Sequence, residues 1–368
     1  MTKQADFKRR VRARMAKTGE SYAVARARLL GERPAAEDGW MAAALHISNG
    51  DATDLAGTGL ARRIVFWRDV LHEGPVPAVG REELRRVRAA FLAGAHGVDH
   101  GEGLRTLLER DAAVEANRGG EYVLWFEADL YDQLQIVEIL ARLAELGVPA
   151  RAVTLICIGE HPGIARFGGL GELRAEQLRE LPATRACARL SSAALELATR
   201  AWAAFRAPTP EGLAGIAAVR SGELRFLGEA FDRLSREYPS TRDGLSLAER
   251  RVLAAAVQEG TAGEVFVRAA AREARPYLGD TSCFAMMERL AGGAYPLLEL
   301  RPGGGPVGPG TVVRLSAVGA RVLAGEEDHV RLNGVDRWIG GVHLGGREVG
   351  WRWDEGREAL TMRPTYQT

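Results

Sequence analysis

Lysine is nearly missing from this chain. Lys3, Lys8 and Lys17 are the only three, so arginine supplies 46 of 49 bases. With alanine and glycine also abundant, that bias fits a GC-rich coding sequence, and arginine number alone is weak support for nucleic-acid binding. Cysteine is scarce too. Cys157, Cys187 and Cys283 lie far apart with no CxxC pair, which argues against a disulfide framework and a zinc ribbon. No apolar run approaches the roughly 20 residues that span a bilayer; segments such as residues 152–158 are short. The basic N-terminus lacks the apolar stretch of a secretory signal. A cytoplasmic, reducing location is the expectation. Gly50, Gly57 and Gly59 after the first strand do not match GxGxxG, and GxxxxGK[ST], HExxH and GxSxG are missing, so no Rossmann, P-loop, zincin or acyl-transfer fingerprint can be claimed. No fixed-period repeat is found.

What remains is ordinary globular material. The 368 residues are 46% hydrophobic and 26% charged, enough for two or three domains and a full-sized core. The net charge of +1 hides an asymmetry: residues 1–33 hold ten bases against three acids, and the rest holds 39 against 45. A basic arm precedes a mildly acidic body.

The periodicity predicts two short helices over residues 3–30 and a linker to residue 39, rich in turn formers. From Met41 the rhythm becomes strand, loop, helix. Strands are expected over residues 43–48, 63–68, 122–126 and 153–158, and helices around 82–92, 103–116 and 130–147. Such alternation implies an α/β domain (residues 40–171) on a parallel sheet of about four strands with flanking helices. Residues 172–237 read as helical and Ala-rich. In residues 238–368, Ser246-Leu-Ala-Glu249 and Thr261-Ala-Gly-Glu264 fit the capping box, Asp280 can cap a third helix, and residues 296–315 read as a β-hairpin. Three helices and a hairpin form a winged-helix-like order, followed by a C-terminal aromatic hairpin.

In parallel sheets, ligands bind beyond the carboxyl ends of the strands, and here every expected strand ends in polar residues. They are His46 with Asn49 and Asp51; Arg68, Asp69, His72 and Glu73; Glu127, Asp129 and Asp132; and Glu160-His161 ahead of Gly168-Gly169-Leu170-Gly171. Each has a plain structural reading. Asp51 and Asp129 stand where helix N-caps belong, and Asp132 suits a first helical turn. His72 reads equally well as a turn histidine and as an acid/base group. Glu127 is harder to dismiss, because a carboxylate at the mouth of a buried strand must be paired, desolvated or functional. The glycines at 163–171 suit an anion nest or simple turns. His46, His72 and His161 lack metal-ligand spacing, so no metal site is assigned and no cofactor is named. Trp338, Trp351 and Trp353 near His343 read as a small aromatic core rather than a ligand surface.

His46-Ile-Ser-Asn-Gly-Asp51, Trp67-Arg-Asp-Val-Leu-His-Glu-Gly-Pro75, Trp125-Phe-Glu-Ala-Asp-Leu-Tyr-Asp-Gln133 and Gly169-Leu-Gly171 together resemble an uncharacterised bacterial domain-of-unknown-function family. The stretches at 322–325 and 333–343 look like its C-terminal half. The resemblance spans about residues 41–354 and implies a shared fold and site, with no established catalytic residues to carry over. Residues 7–30, with Arg14-Met-Ala-Lys-Thr-Gly-Glu-Ser-Tyr22, look like a module prefixed to actinobacterial proteins.

The leading expectation is a small polar ligand, a nucleotide or phosphorylated metabolite, bound or turned over at the strand ends. His72 would serve as acid/base, Asp69 or Glu127 as its carboxylate and Arg68 as anion anchor, with His46, Asn49, Asp51, Glu73, Asp129 and His161 around the ligand. The alternative is a nucleic-acid- or protein-binding regulator using the winged helix, with the basic arm holding nucleic acid or an acidic partner. Against DNA reading, residues 281–290 hold one base and one acid, where a positive face is usual.

Overall fold

The computed structural model describes residues 35–362 together with Val11, Arg12 and Arg14. The two short helices expected over residues 3–30, and any partner of the basic arm, otherwise lie outside the described residues.

Helix α1 (Ala35–Ala43) leads into β1 (Leu45–Ser48), and turns lead on to β2 (Arg63–Phe66). Two long helices, α2 (Arg81–His96) and α3 (His100–Ala116), precede β3 (Tyr122–Glu127) and α4 (Leu130–Glu145). Then come β4 (Val153–Ile158), α5 (Ala175–Glu180) and β5 (Cys187–Arg189). The sheet order is β2-β1-β3-β4-β5. The first four strands are parallel, and β5 runs antiparallel to β4. The fold is therefore the α/β class expected. One strand was missed. Cys187–Arg189 is three residues long, too short for an alternating pattern to register inside a segment read as helical.

Both faces of the sheet are covered, as parallel sheets require. Strand alternation sends Ile47, Leu124, Phe126 and Leu155 into one core and Val123, Trp125, Ile156 and Ile158 into another. The first face is covered by α4, by α6 (Ser192–Arg206) and by α8 (Leu227–Ser235), which follows α7 (Leu213–Ala217). The second is covered by α5, by Met41 and by the turns after β1, which bury Leu55 and Leu60. Those turns correct one expectation: no helix follows β1, so Asp51 caps nothing.

A separate apolar cluster forms around α9 (Leu247–Ala256), α10 (Ala262–Ala270) and α11 (Asp280–Ala291). They combine with β6 (Gly260–Thr261), β7 (Leu298–Arg301) and β8 (Val312–Leu315) in a three-stranded antiparallel sheet of order β6-β8-β7. Both expected capping boxes are present, at Ser246/Glu249 and Thr261/Glu264. Gly279 rather than Asp280 caps α11, a one-residue difference of the size helix ends commonly show.

The last elements return to the first core. After α12 (Ala317–Ala324) and α13 (His329–Asn333) come hairpins β9 (Val335–Ile339)–β10 (Val342–Gly346) and β11 (Trp351–Asp354)–β12 (Ala359–Met362). Ile339, Val342, Leu344 and Trp353 pack into the same cluster as Ile47 and Phe126. The β9–β10 tip fits because Gly340 takes φ 58° and a Cβ there would lie 2.0 Å from the Phe205 carbonyl. Gly341 N–H donates to Phe205 O at 3.0 Å, and Val76 N–H donates to Gly340 O at 2.7 Å. Of the three tryptophans, Trp353 is core, while Trp338 stacks on His343 at 4.8 Å.

Candidate functional site

The end of β3 gathers three acids. Glu127 is its last residue, Asp129 caps α4 by accepting from Asp132 N–H at 3.2 Å, and Asp132 lies in the first turn, fully buried. One oxygen from each lies within 4.8 Å of the other two. Neighbouring loops fix each carboxylate. Asn49, just past β1, donates to Asp132 at 2.8 Å, and the Glu127 N–H donates to the other Asp132 oxygen at 2.5 Å. Leu170 N–H donates to the Glu127 carboxylate at 2.6 Å. Gly169 makes that approach possible: at φ 152° its missing Cβ would sit 2.7 Å from both Glu127 oxygens. Gln133 donates to the Glu127 carbonyl at 2.8 Å, closing the strand end from beneath.

This packing makes the acids reluctant to ionise. Burial first, and the charge of Asp129 second, push Glu127 up to about 8 despite the Leu170 hydrogen bond. Burial raises Asp129 to about 6 against the backbone N–H groups of its cap. Asp132 is also raised, by burial and by its two acidic neighbours. At neutral pH the cluster thus holds protons that ordinary carboxylates would have lost. Such a set can transfer protons in turn, or exchange them for an oxygen-preferring divalent cation.

Glu127 and Asp129 open onto a hollow. Glu127, Asp129, Ile158, Gly159 and Gly169 line a small space of about 30 Å³ that Arg275 also borders. Ile158, Gly159 and Arg275 also line a cleft of about 890 Å³ at the end of β4, which His161, Arg185 and Arg225 border as well. Arg225 donates to Cys157 O at 2.9 Å and Arg275 to Gly159 O at 3.1 Å, one inside the end of β4 and one just past it.

The other expected site residues divide into several groups. His46 is buried with both ring nitrogens engaged: Trp125 Nε1 donates to Nδ1 at 2.9 Å, and Nε2 meets Met41 O at 2.8 Å. Burial lowers its pKa, so it stays neutral. Asp51 and Arg68 pair with each other on the surface at 2.8 Å. Asp69 is buried against Arg88, whose Nη2 donates to it at 2.7 Å and whose other N–H groups reach the carbonyls of Val70, Glu73 and Pro75. That pair holds the loop after β2 in shape.

His72 is buried, edge-on to Tyr131 (5.8 Å) and Tyr277 (5.1 Å), and 3.6 Å from Glu73. Glu73 also meets His96 at 3.4 Å. Burial opposes its ionisation, but hydrogen bonds from His72, His96 and Ser282 outweigh it and hold Glu73 well below the usual carboxylate range. The cleft and hollow beside Glu127 are lined by His161 and Asp129, but by neither His72 nor Asp69.

Arg225 and Arg275 went unread in the sequence, as two arginines among 46, far along the chain from the strand end they meet. Asp132 was read as a helix-turn acid, though its position three residues after Asp129 was the available signal. No family model and no curated protein matches the chain.

Proposed function

We propose that the C-terminal edge of the five-stranded sheet binds or turns over a small polar molecule, a nucleotide or phosphorylated metabolite, with Glu127 and Asp129 as its proton-handling pair. The observation that carries this reading is the convergence of Glu127, Asp129 and the buried Asp132 within 4.8 Å, with Glu127 and Asp129 lining an open hollow. A carboxyl with a pKa of about 8 beside one at about 6 divides acid and base roles near neutrality. His72 lies close enough to Asp129 to favour its ionised form. Asp69 has a supporting part, through Arg88. Of the motifs that carry the family resemblance, Asn49, the Glu127–Gln133 stretch and the Gly169–Gly171 turn meet at this cluster, which supports reading those parts as one centre.

The test is a thermal-shift screen against nucleotides, sugar phosphates and divalent cations. A ligand at 100 times its Kd should add about 2.7 kcal/mol of stability. Glu127→Gln and Asp129→Asn are expected to fold and lose the response. A full response in both variants would remove the acids from the function.

A second reading has its own support. The order α9-β6-α10-α11-β7-β8, with β6 and β7 on either side of β8, supports reading this part as winged-helix-like. Its α11 carries Asp280 and Glu288 against Arg289, which favours protein contact over DNA reading.

A further inference from the structure

Phe226 lies at the floor of the large cleft with two guanidinium groups over its ring, Arg225 at 5.0 Å and Arg275 at 4.7 Å from the centroid. Cation–π contact and the carbonyls of Cys157 and Gly159 hold both groups in place. They differ in charge balance. Arg275 meets Glu229 at 2.9 Å, whereas Arg225 has no carboxylate partner among the described residues. A guanidinium offers five N–H donors, and Arg225 uses one on Cys157. At the mouth, Arg185 takes up Glu160, leaving Glu180 as the other acid of the lining. His161 adds a ring whose buried Nδ1 has no hydrogen-bond partner. The remaining walls are largely apolar, from Ile158, Ile164, Leu181 and Ala186, with Gln177 and Thr184 as their polar members.

A cleft of about 890 Å³ with largely apolar walls and a cationic end suits one kind of occupant. We infer that it takes a small organic oxyanion, its head on Arg225 and Arg275 and its apolar body along Ile158 and Phe226. This rests on the reading of the sheet edge as a ligand centre and names the ligand class. Ile158, Gly159 and Arg275 border both spaces, which puts a molecule bound there beside Glu127.

Phenyl phosphate, benzoate and benzyl alcohol test this by calorimetric titration, having similar bodies and differing in head group. Phenyl phosphate or benzoate is expected to bind at least about tenfold more tightly than benzyl alcohol, since a charge-assisted hydrogen bond contributes on that scale. Comparing the two anions identifies the head as phosphate or carboxylate. Arg225→Met, on an exposed side chain with one backbone bond, should fold normally and weaken the anion about tenfold or more; Arg275→Met should weaken it as well. Failure of both anions to bind, equal binding of the alcohol, or unchanged affinity in Arg225→Met would overturn the inference.

Glu127→Gln separates this from the proposed function. If it abolishes responses in the thermal screen while anion binding ignores Arg225, the acid centre stands and the cleft inference falls. If anion binding needs Arg225 while neither Glu127→Gln nor Asp129→Asn changes any response, the cleft stands and the acid centre falls.

Discussion

Replacing Glu127 with glutamine keeps an acceptor for Leu170 N–H and removes one ionisation. In the unfolded chain Glu127 titrates near 4.5, and in the folded protein near 8. The sign follows from linkage. Below pH 4.5 both states are protonated and the site costs nothing. As pH rises the unfolded chain loses its proton while the folded protein keeps it, so stability falls until the folded carboxyl also titrates. At about 1.4 kcal/mol per pKa unit, the penalty is roughly 1 kcal/mol at pH 5 and roughly 4 kcal/mol at pH 8. Glu127→Gln escapes it. The variant should therefore gain about 3 kcal/mol on wild type between pH 5 and pH 8, whatever its fixed offset. Urea unfolding followed by tryptophan fluorescence, at both pH values in chelator-treated buffer, measures the difference. A stability difference that does not change with pH would show that Glu127 ionises normally and would refute the neutral-acid argument.

Asp69→Asn should destabilise the protein by about 3–5 kcal/mol, because Arg88 would be left buried without its counter-ion; unchanged urea unfolding would remove that pair from the loop's support. Gly169→Ala should cost about 1–3 kcal/mol and blunt any ligand-induced thermal shift, since its methyl group meets the Glu127 carboxylate. Wild-type stability with a wild-type ligand response would contradict the close approach of that loop.

Much of the fold was legible because buried parallel strands announce themselves. Residues 153–158 are apolar but for Thr154, and β4 covers those same six residues. Both capping boxes were readable because their chemistry is local, a hydroxyl and a carboxylate three residues apart. Local chemistry also identified Asp129 as an N-cap. Glu127 stood out from burial arguments alone. What the sequence hid was non-local. His46 looked like a strand-end ligand until Trp125 and Met41, on either side of it in space, engaged both nitrogens. Arg68 and Asp51 looked like an anion anchor and a helix cap, yet they satisfy each other on the surface. Arg225 reaches the end of β4 from 68 residues away, and nothing in its local sequence distinguishes it from other arginines.

The seating of Gly340 against Phe205 has a bearing on biosynthesis. A ribosome making this protein would release the strands and helices of the sheet long before Ile339, Val342 and Trp353 emerge. Until then, the apolar surface those side chains cover stays open to water and to other chains. Contacts between residues as far apart in sequence as Val76 and Gly340 close late and slowly. The nascent chain therefore depends on its final hairpins, or on a chaperone standing in for them, to shield its largest core.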